Sequence, residues 1–243
     1  KQLRPDRFDD IVAAVALYRP GPMGAQMDKD FVHRKHGRQQ VEYPHPSLEG
    51  ILRETRGVIV YQEQVMQIVQ NIGGFSLGGA DIVRRAMGKK KVDVMLQYNK
   101  EFSEGAQKQG LDYKTASELF DLIEKFAGYG FNKSHSAAYA MVTFQTAWLK
   151  TYYPQEFMAA LLTSERDNTD KIVKYIDEVK RMEIDLAPPD INHSHLEFSA
   201  IERDGKDIIL FGPGAVKGVG SAAVESVLEV REDGEFKSMQ DFV

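Results

Sequence analysis

Gly128-Tyr129-Gly130-Phe131-Asn132-Lys133-Ser134-His135-Ser136 separates two stretches of helical pattern, and its reading decides how the chain is parsed. Before it, Leu119, Ile123 and Phe126 are spaced for one face of a helix over about 116–127. After it, a long helix is expected from about Ser134 to Tyr152, closed before Pro154. The glycines allow unusual backbone angles, and the loop feeds a helix N-terminus. The first turn of a helix carries unpaired N–H groups and partial positive charge, which attract phosphate. Lys133 adds a full charge there, and His135 and Ser136 add donors. An ordinary loop with Ser134 as N-cap accounts for the same residues, and the segment alone leaves both readings open.

Outward from this loop most of the chain reads as helix. Phe8, Ile11, Val12 and Val15 repeat at helical spacing until Arg19-Pro20-Gly21-Pro22 stops them. His45-Pro46 opens a short helix ending near Thr55. The stripe Val65, Met66, Ile68, Val69, Ile72 ends at Gly73-Gly74. Ser76 can cap a helix that runs to Met87 and stops at Gly88, and another covers about 92–109. Helices are expected over 154–164 and 169–182. Met141, Phe144 and Trp148 read as core.

The pattern breaks at Ala187-Pro188-Pro189. Two β-prone runs flank Asp204-Gly205 as a hairpin, and a helix follows over 222–230. The expected fold is therefore mainly α, a multi-helical domain over 1–187, with a hairpin and a smaller unit over 188–243.

The net charge of −5 argues against a nucleic-acid surface as an average, but its distribution argues otherwise. From Ser76 to Tyr153 there are 11 Lys and Arg against 8 Asp and Glu, a net +3. Arg84-Arg85-Ala86-Met87-Gly88-Lys89-Lys90-Lys91 holds five cations and no acid. On a helix Arg84, Arg85 and Lys89 share an arc of about 140° and can converge on one polyanion, although cations also simply complement a helix C-terminus. Gly218-Val219-Gly220 before Ser221-Ala222-Ala223 resembles half of a helix-hairpin-helix, whose glycine N–H groups meet DNA phosphates without reading sequence. There is no cysteine, and His33, His36, His193 and His195 lack the partners that would complete a metal site. No apolar run reaches the roughly 20 residues of a membrane span, and the charged opening residues do not resemble an export signal. A reducing cytoplasm is the expected compartment. No initiator Met is present, and the chain reads as an excised piece.

Taken in order, several segments resemble the bacterial DNA polymerase III alpha subunit family. They are Leu17-Tyr-Arg-Pro-Gly-Pro-Met23, Gly57 to Met66, Gly79 to Lys90, Phe126 to Ala140, and Phe211 to Gly220. Many members have proline where Val92 stands. The resemblance implies the fingers region, which binds an incoming dNTP and template-primer DNA in DNA replication. It assigns Arg84, Arg85, Lys133, His135 and Ser136 to the triphosphate. Lys89 and Lys90 go to the triphosphate or the template-primer backbone, and Lys217, Gly218 and Gly220 to duplex DNA. Tyr129 and Tyr139 stack on a base or pack in the core, the core being favoured. Catalytic Asp residues and their Mg²⁺ would belong to a palm preceding this segment, so the piece alone is expected to be inactive. Implied partners are the palm and thumb, with a sliding clamp and other holoenzyme subunits reached through regions outside the segment. A non-catalytic DNA-binding helical module is the alternative.

Overall fold

A computed structural model describes residues 2–89 and 92–242, residues 89 and 92 by their backbone alone. The chain forms two compact units, 1–144 and 145–243.

In the first unit α1 (Phe8–Leu17) ends as the prolines require, but they do not leave irregular chain. Pro20 opens the short α2 (Pro20–Gly24), where a missing N–H costs nothing. Next comes α3 (Met27–Lys35), which buries Met27, Phe31 and Val32 and has no counterpart in the sequence reading. His45-Pro46 begins a 3₁₀ turn, followed by α4 (Glu49–Leu52) and a second 3₁₀ turn to Thr55. The N-terminus of α5 (Gln62–Asn71) is tied by the buried Gln64, whose Oε1 accepts from Val60 and Tyr61 N–H at 2.9 and 3.0 Å. Ser76 Oγ accepts from Gly79 N–H at the start of α6 (Leu77–Lys89), which runs past Gly88.

Then follow α7 (Val92–Lys108) and α8 (Tyr113–Ala127), the latter capped by Asp112, and α9 (Lys133–Tyr152). One core joins α5 to α8 through Val65, Ile68, Val83, Phe102, Phe120 and Ile123. A second joins α1 and α3 to Val58, Val60, Tyr61 and Ala140.

The second unit contains α10 (Pro154–Ser164) and α11 (Thr169–Arg181) beside a three-stranded sheet. The hairpin forms as expected, β2 (Ser199–Arg203) against β3 (Lys206–Leu210), with Asp204 and Gly205 both left-handed at φ 54° and 74°. The short β1 (Asp185–Ala187) adds parallel to β3, making β3 central. Ile209 is wholly buried against Met158, Leu162 and Val179. A 3₁₀ turn leads to α12 (Ser221–Arg231), and α13 (Met239–Phe242) follows.

The aromatic stripe of α9 departs from expectation. Met141, Phe144 and Trp148 are 43–47% exposed, not core. The Phe8 ring meets Phe144 edge-on with centroids 6.3 Å apart, and Trp148 lies beside Tyr152 and Tyr153, so the stripe is half-covered and not core. Among the described residues no helix is long and apolar enough to cross a membrane.

Candidate functional site

The loop before α9 is held by segments far away in sequence. Phe131 N–H donates to the Val60 carbonyl and Gln62 N–H to the Phe131 carbonyl, both at 3.0 Å, a one-residue parallel bridge. Arg19 donates from Nε to the Ala16 carbonyl and from Nη2 to the Tyr129 carbonyl, each at 2.7 Å. Its guanidinium also lies 4.5 Å above the centre of the Phe131 ring. Gly21 lets this turn lie flat on the loop, because a Cβ there would come within 2.7 Å of the Tyr129 ring.

α9 begins one residue earlier than expected, with Asn132 rather than Ser134 as its cap. Asn132 Oδ1 accepts from His135 N–H at 2.8 Å, and its Nδ2 donates to Glu63 at 3.0 Å. The Glu63 carboxylate accepts the Lys133 N–H at 3.0 and 3.1 Å. Lys133 Nζ donates to Glu54 at 2.7 Å and lies 5.5 Å over the Tyr61 ring. Burial, with Glu54, Asp9 and Glu63 adding negative charge, pushes the Tyr61 hydroxyl well above its ordinary pKa.

α6 reaches the same place through Gln62. Arg84 Nη1 donates to Gln62 Oε1, and Gln62 Nε2 donates to the Gly130 carbonyl, each at 3.2 Å. Arg84 also grips Asp81 Oδ1 from Nε and Nη2 at 3.1 and 2.7 Å, while Arg85 Nε meets Asp81 Oδ2 at 2.9 Å. The Arg84 hydrogen bonds, with the Arg85 charge, hold the Asp81 carboxyl below its usual range. Arg84 and Lys133, 49 positions apart, thus bond to the consecutive residues Gln62 and Glu63.

His135 is exposed, its ring 5.2 Å from Phe131 and 4.6 Å from Tyr139. Tyr139 is 57% exposed and not part of the core, and Tyr129 is partly open as well. Ser136 departs from the expected role. It is fully buried, and its hydroxyl donates to the Val12 carbonyl at 2.9 Å, so it fixes α9 to α1 and offers nothing to solvent. The Lys89 side chain and Lys90 lie outside the described residues. Arg19, Glu54, Gln62 and Glu63 escaped the sequence reading as site residues. Their only signal was membership of the quoted Leu17–Met23 and Gly57–Met66 stretches, or, for Glu54, none.

Lys133 also lines an open polar cleft of about 570 Å³ with Arg7, Asp9, Arg53, Glu54 and Arg56. Asp10, in the wall of the same cleft, accepts from Lys35 at 2.7 Å and Arg56 at 3.2 Å, with Asp10 and Lys35 side chains only 1% and 4% exposed. Burial alone would raise the Asp10 pKa, but the Lys35 and Asp6 hydrogen bonds and the Arg56 charge outweigh it and hold it low. Burial alone would lower Lys35, but hydrogen bonds from its ammonium to Asp10 and Asp6 outweigh it and raise its pKa.

In the second unit Lys217, Gly218 and Gly220 are exposed. Val219 N–H bonds to the Val216 carbonyl and closes the turn. Gly218 has φ +88°, whereas Gly220, the N-cap of α12, has φ −82°. Among the described residues no group of three His, Cys, Asp or Glu side chains is arranged to hold a metal ion.

Residues 1–110 match the family described as the bacterial DNA polymerase III alpha subunit finger domain, and residues 183–243 match the helix-hairpin-helix motif. The chain belongs to the bacterial DNA polymerase III alpha subunit family. It is 64% identical over 242 residues, all of this chain, to the DNA polymerase III subunit alpha of Campylobacter jejuni. Identity is 56% over the whole chain to that of Helicobacter pylori and 52% over 96% of it to that of Escherichia coli K12. The chain spans about a fifth of the length of these relatives.

Proposed function

We propose that this region serves as the fingers of a replicative DNA-directed DNA polymerase, gripping the triphosphate of an incoming dNTP through Arg84, Arg85, Lys133 and His135. The observation that carries the reading is the convergence of Arg84 and the Lys133 end of α9 on the Gln62–Glu63 step. Residues 1–187 act as this fingers domain. Residues 188–243, through Lys217, Gly218 and Gly220, grip duplex template-primer without reading its sequence. Lys89 and Lys90 belong to one of these phosphate surfaces. Mg²⁺ is held by a palm elsewhere in the polymerase chain. Palm, thumb, sliding clamp and other replication subunits are the partners, in the cytoplasm.

The test is Arg85→Ala and Lys133→Ala in the full-length polymerase. Each should lower kcat/KM for dNTP by about 10- to 1,000-fold, equally for all four bases, because phosphate carries no base identity. Wild-type kinetics in both folded variants would overturn the assignment. The match of residues 183–243 to a helix-hairpin-helix favours a second reading, a non-catalytic DNA-binding module. That module would bind duplex but no dNTP in the absence of DNA.

A further inference from the structure

Lys133 and the two arginines assigned to phosphate are each already engaged by a carboxylate. Asp81 holds Arg84 and Arg85, Glu54 holds the Lys133 ammonium, and Glu63 holds the Lys133 N–H together with Asn132. The three cationic side chains are thus held by Asp81 and Glu54, and Glu63 closes the first turn of α9. The contacts run from 2.7 to 3.1 Å, the range a phosphate oxygen would take on the same donors.

We propose that Asp81, Glu54 and Glu63 are placeholder anions. They hold Arg84, Arg85 and the first turn of α9 aimed for phosphate while the site is empty, and yield those donors to the triphosphate oxygens when nucleotide enters. The proposal rests on the phosphate reading above and gives Asp81, Glu54 and Glu63 a role toward the ligand.

Three features support it. First, the pairs are accessible: the Asp81, Glu54 and Arg85 side chains are 30%, 38% and 67% exposed, so exchange requires no unfolding. Ion pairs in such surroundings are weak enough to be replaced by a multiply charged ligand. The neighbouring Asp10–Lys35 pair is the contrast, buried at 1% and 4% and positioned to stay closed. Second, long flexible side chains lose rotamer freedom when they bind, and a partner that orders them beforehand removes that cost from the binding step. Third, the acids come from α5, α6 and the turn after α4, so they surround the donors from several elements.

A purely structural salt bridge and a placeholder predict opposite signs on neutralisation. In the full-length polymerase, Asp81→Asn and Glu63→Gln keep the shape and one oxygen acceptor while removing a negative charge. Inorganic tripolyphosphate, titrated without DNA, should bind at least one of them about 3- to 10-fold more tightly than wild type, with a steeper dependence on salt. Arg84→Ala should bind it at least about tenfold more weakly. If one acidic variant fails to fold, the other carries the test. Equal or weaker binding in every folded acidic variant, alongside loss in Arg84→Ala, would overturn the placeholders and leave the phosphate reading standing. Unchanged binding in a folded Arg84→Ala would overturn both.

Discussion

The surroundings of Gln62–Glu63 and the turn at Gly218–Gly220 both present phosphate-type donors, yet they are built in opposite ways. The first is assembled from the α1–α2 turn, the strand-like Val60–Gln62, α6 and the loop before α9, with its cations already paired. The second is one exposed turn, with nothing within 4 Å of a Cβ added at Gly218 or Gly220. On the proposed reading, fixing charge at a reacting phosphate demands geometry from several directions, whereas sequence-blind contact with a duplex backbone needs only N–H groups on an open surface. The difference is one of preorganisation.

Asp10→Asn should break the knitted region hardest. It removes the charge from a buried pair with Lys35 and Arg56, and should cost about 3 kcal/mol of stability in urea unfolding at neutral pH. The sign with pH follows from the shifts. The lowered Asp10 pKa contributes stability above its unfolded value of about 3.9, lost as pH falls through the folded value. The raised Lys35 pKa contributes below about 10.4 and is lost as pH rises through its folded value. The gap between wild type and variant should therefore narrow below about pH 4, and a gap constant down to pH 2 would refute this account.

Ser136→Ala sharpens the comparison at an intermediate scale. Loss of its bond to Val12 should cost about 1 kcal/mol of stability with the dNTP KM of the full-length enzyme unchanged. A tenfold rise in KM at unchanged stability would return Ser136 to the phosphate site. Gly220→Ala should have the smallest effect. Its φ of −82° suits any residue, so stability should hold while duplex affinity in filter binding falls a few-fold, about 0.5–1 kcal/mol. Gly218→Ala is a poorer probe, since φ +88° strains any side chain. Unaltered duplex affinity in Gly220→Ala would make Gly220 an ordinary helix cap.

Much of the helical layout was legible because helix periodicity and its punctuation are local. The stripe at Val65–Ile72, the Ser76 cap and the Asp204-Gly205 hairpin follow from residues a few positions apart. What stayed hidden depended on distant partners. The three residues of β1 are a strand only because β3 offers its edge, and α3 escaped because its polar composition masks the buried Met27, Phe31 and Val32. At the site, residue type identified Arg84, Arg85 and Lys133 as donors, but not the carboxylates that occupy them. The reversal of Ser136 and Tyr139, one turned inward and one outward, makes the same point. By itself the sequence determined which groups can donate charge or hydrogen bonds and where helices start and stop. Only the tertiary structure decided which of those groups face solvent and what holds them, because availability depends on neighbours brought together from dozens of positions away.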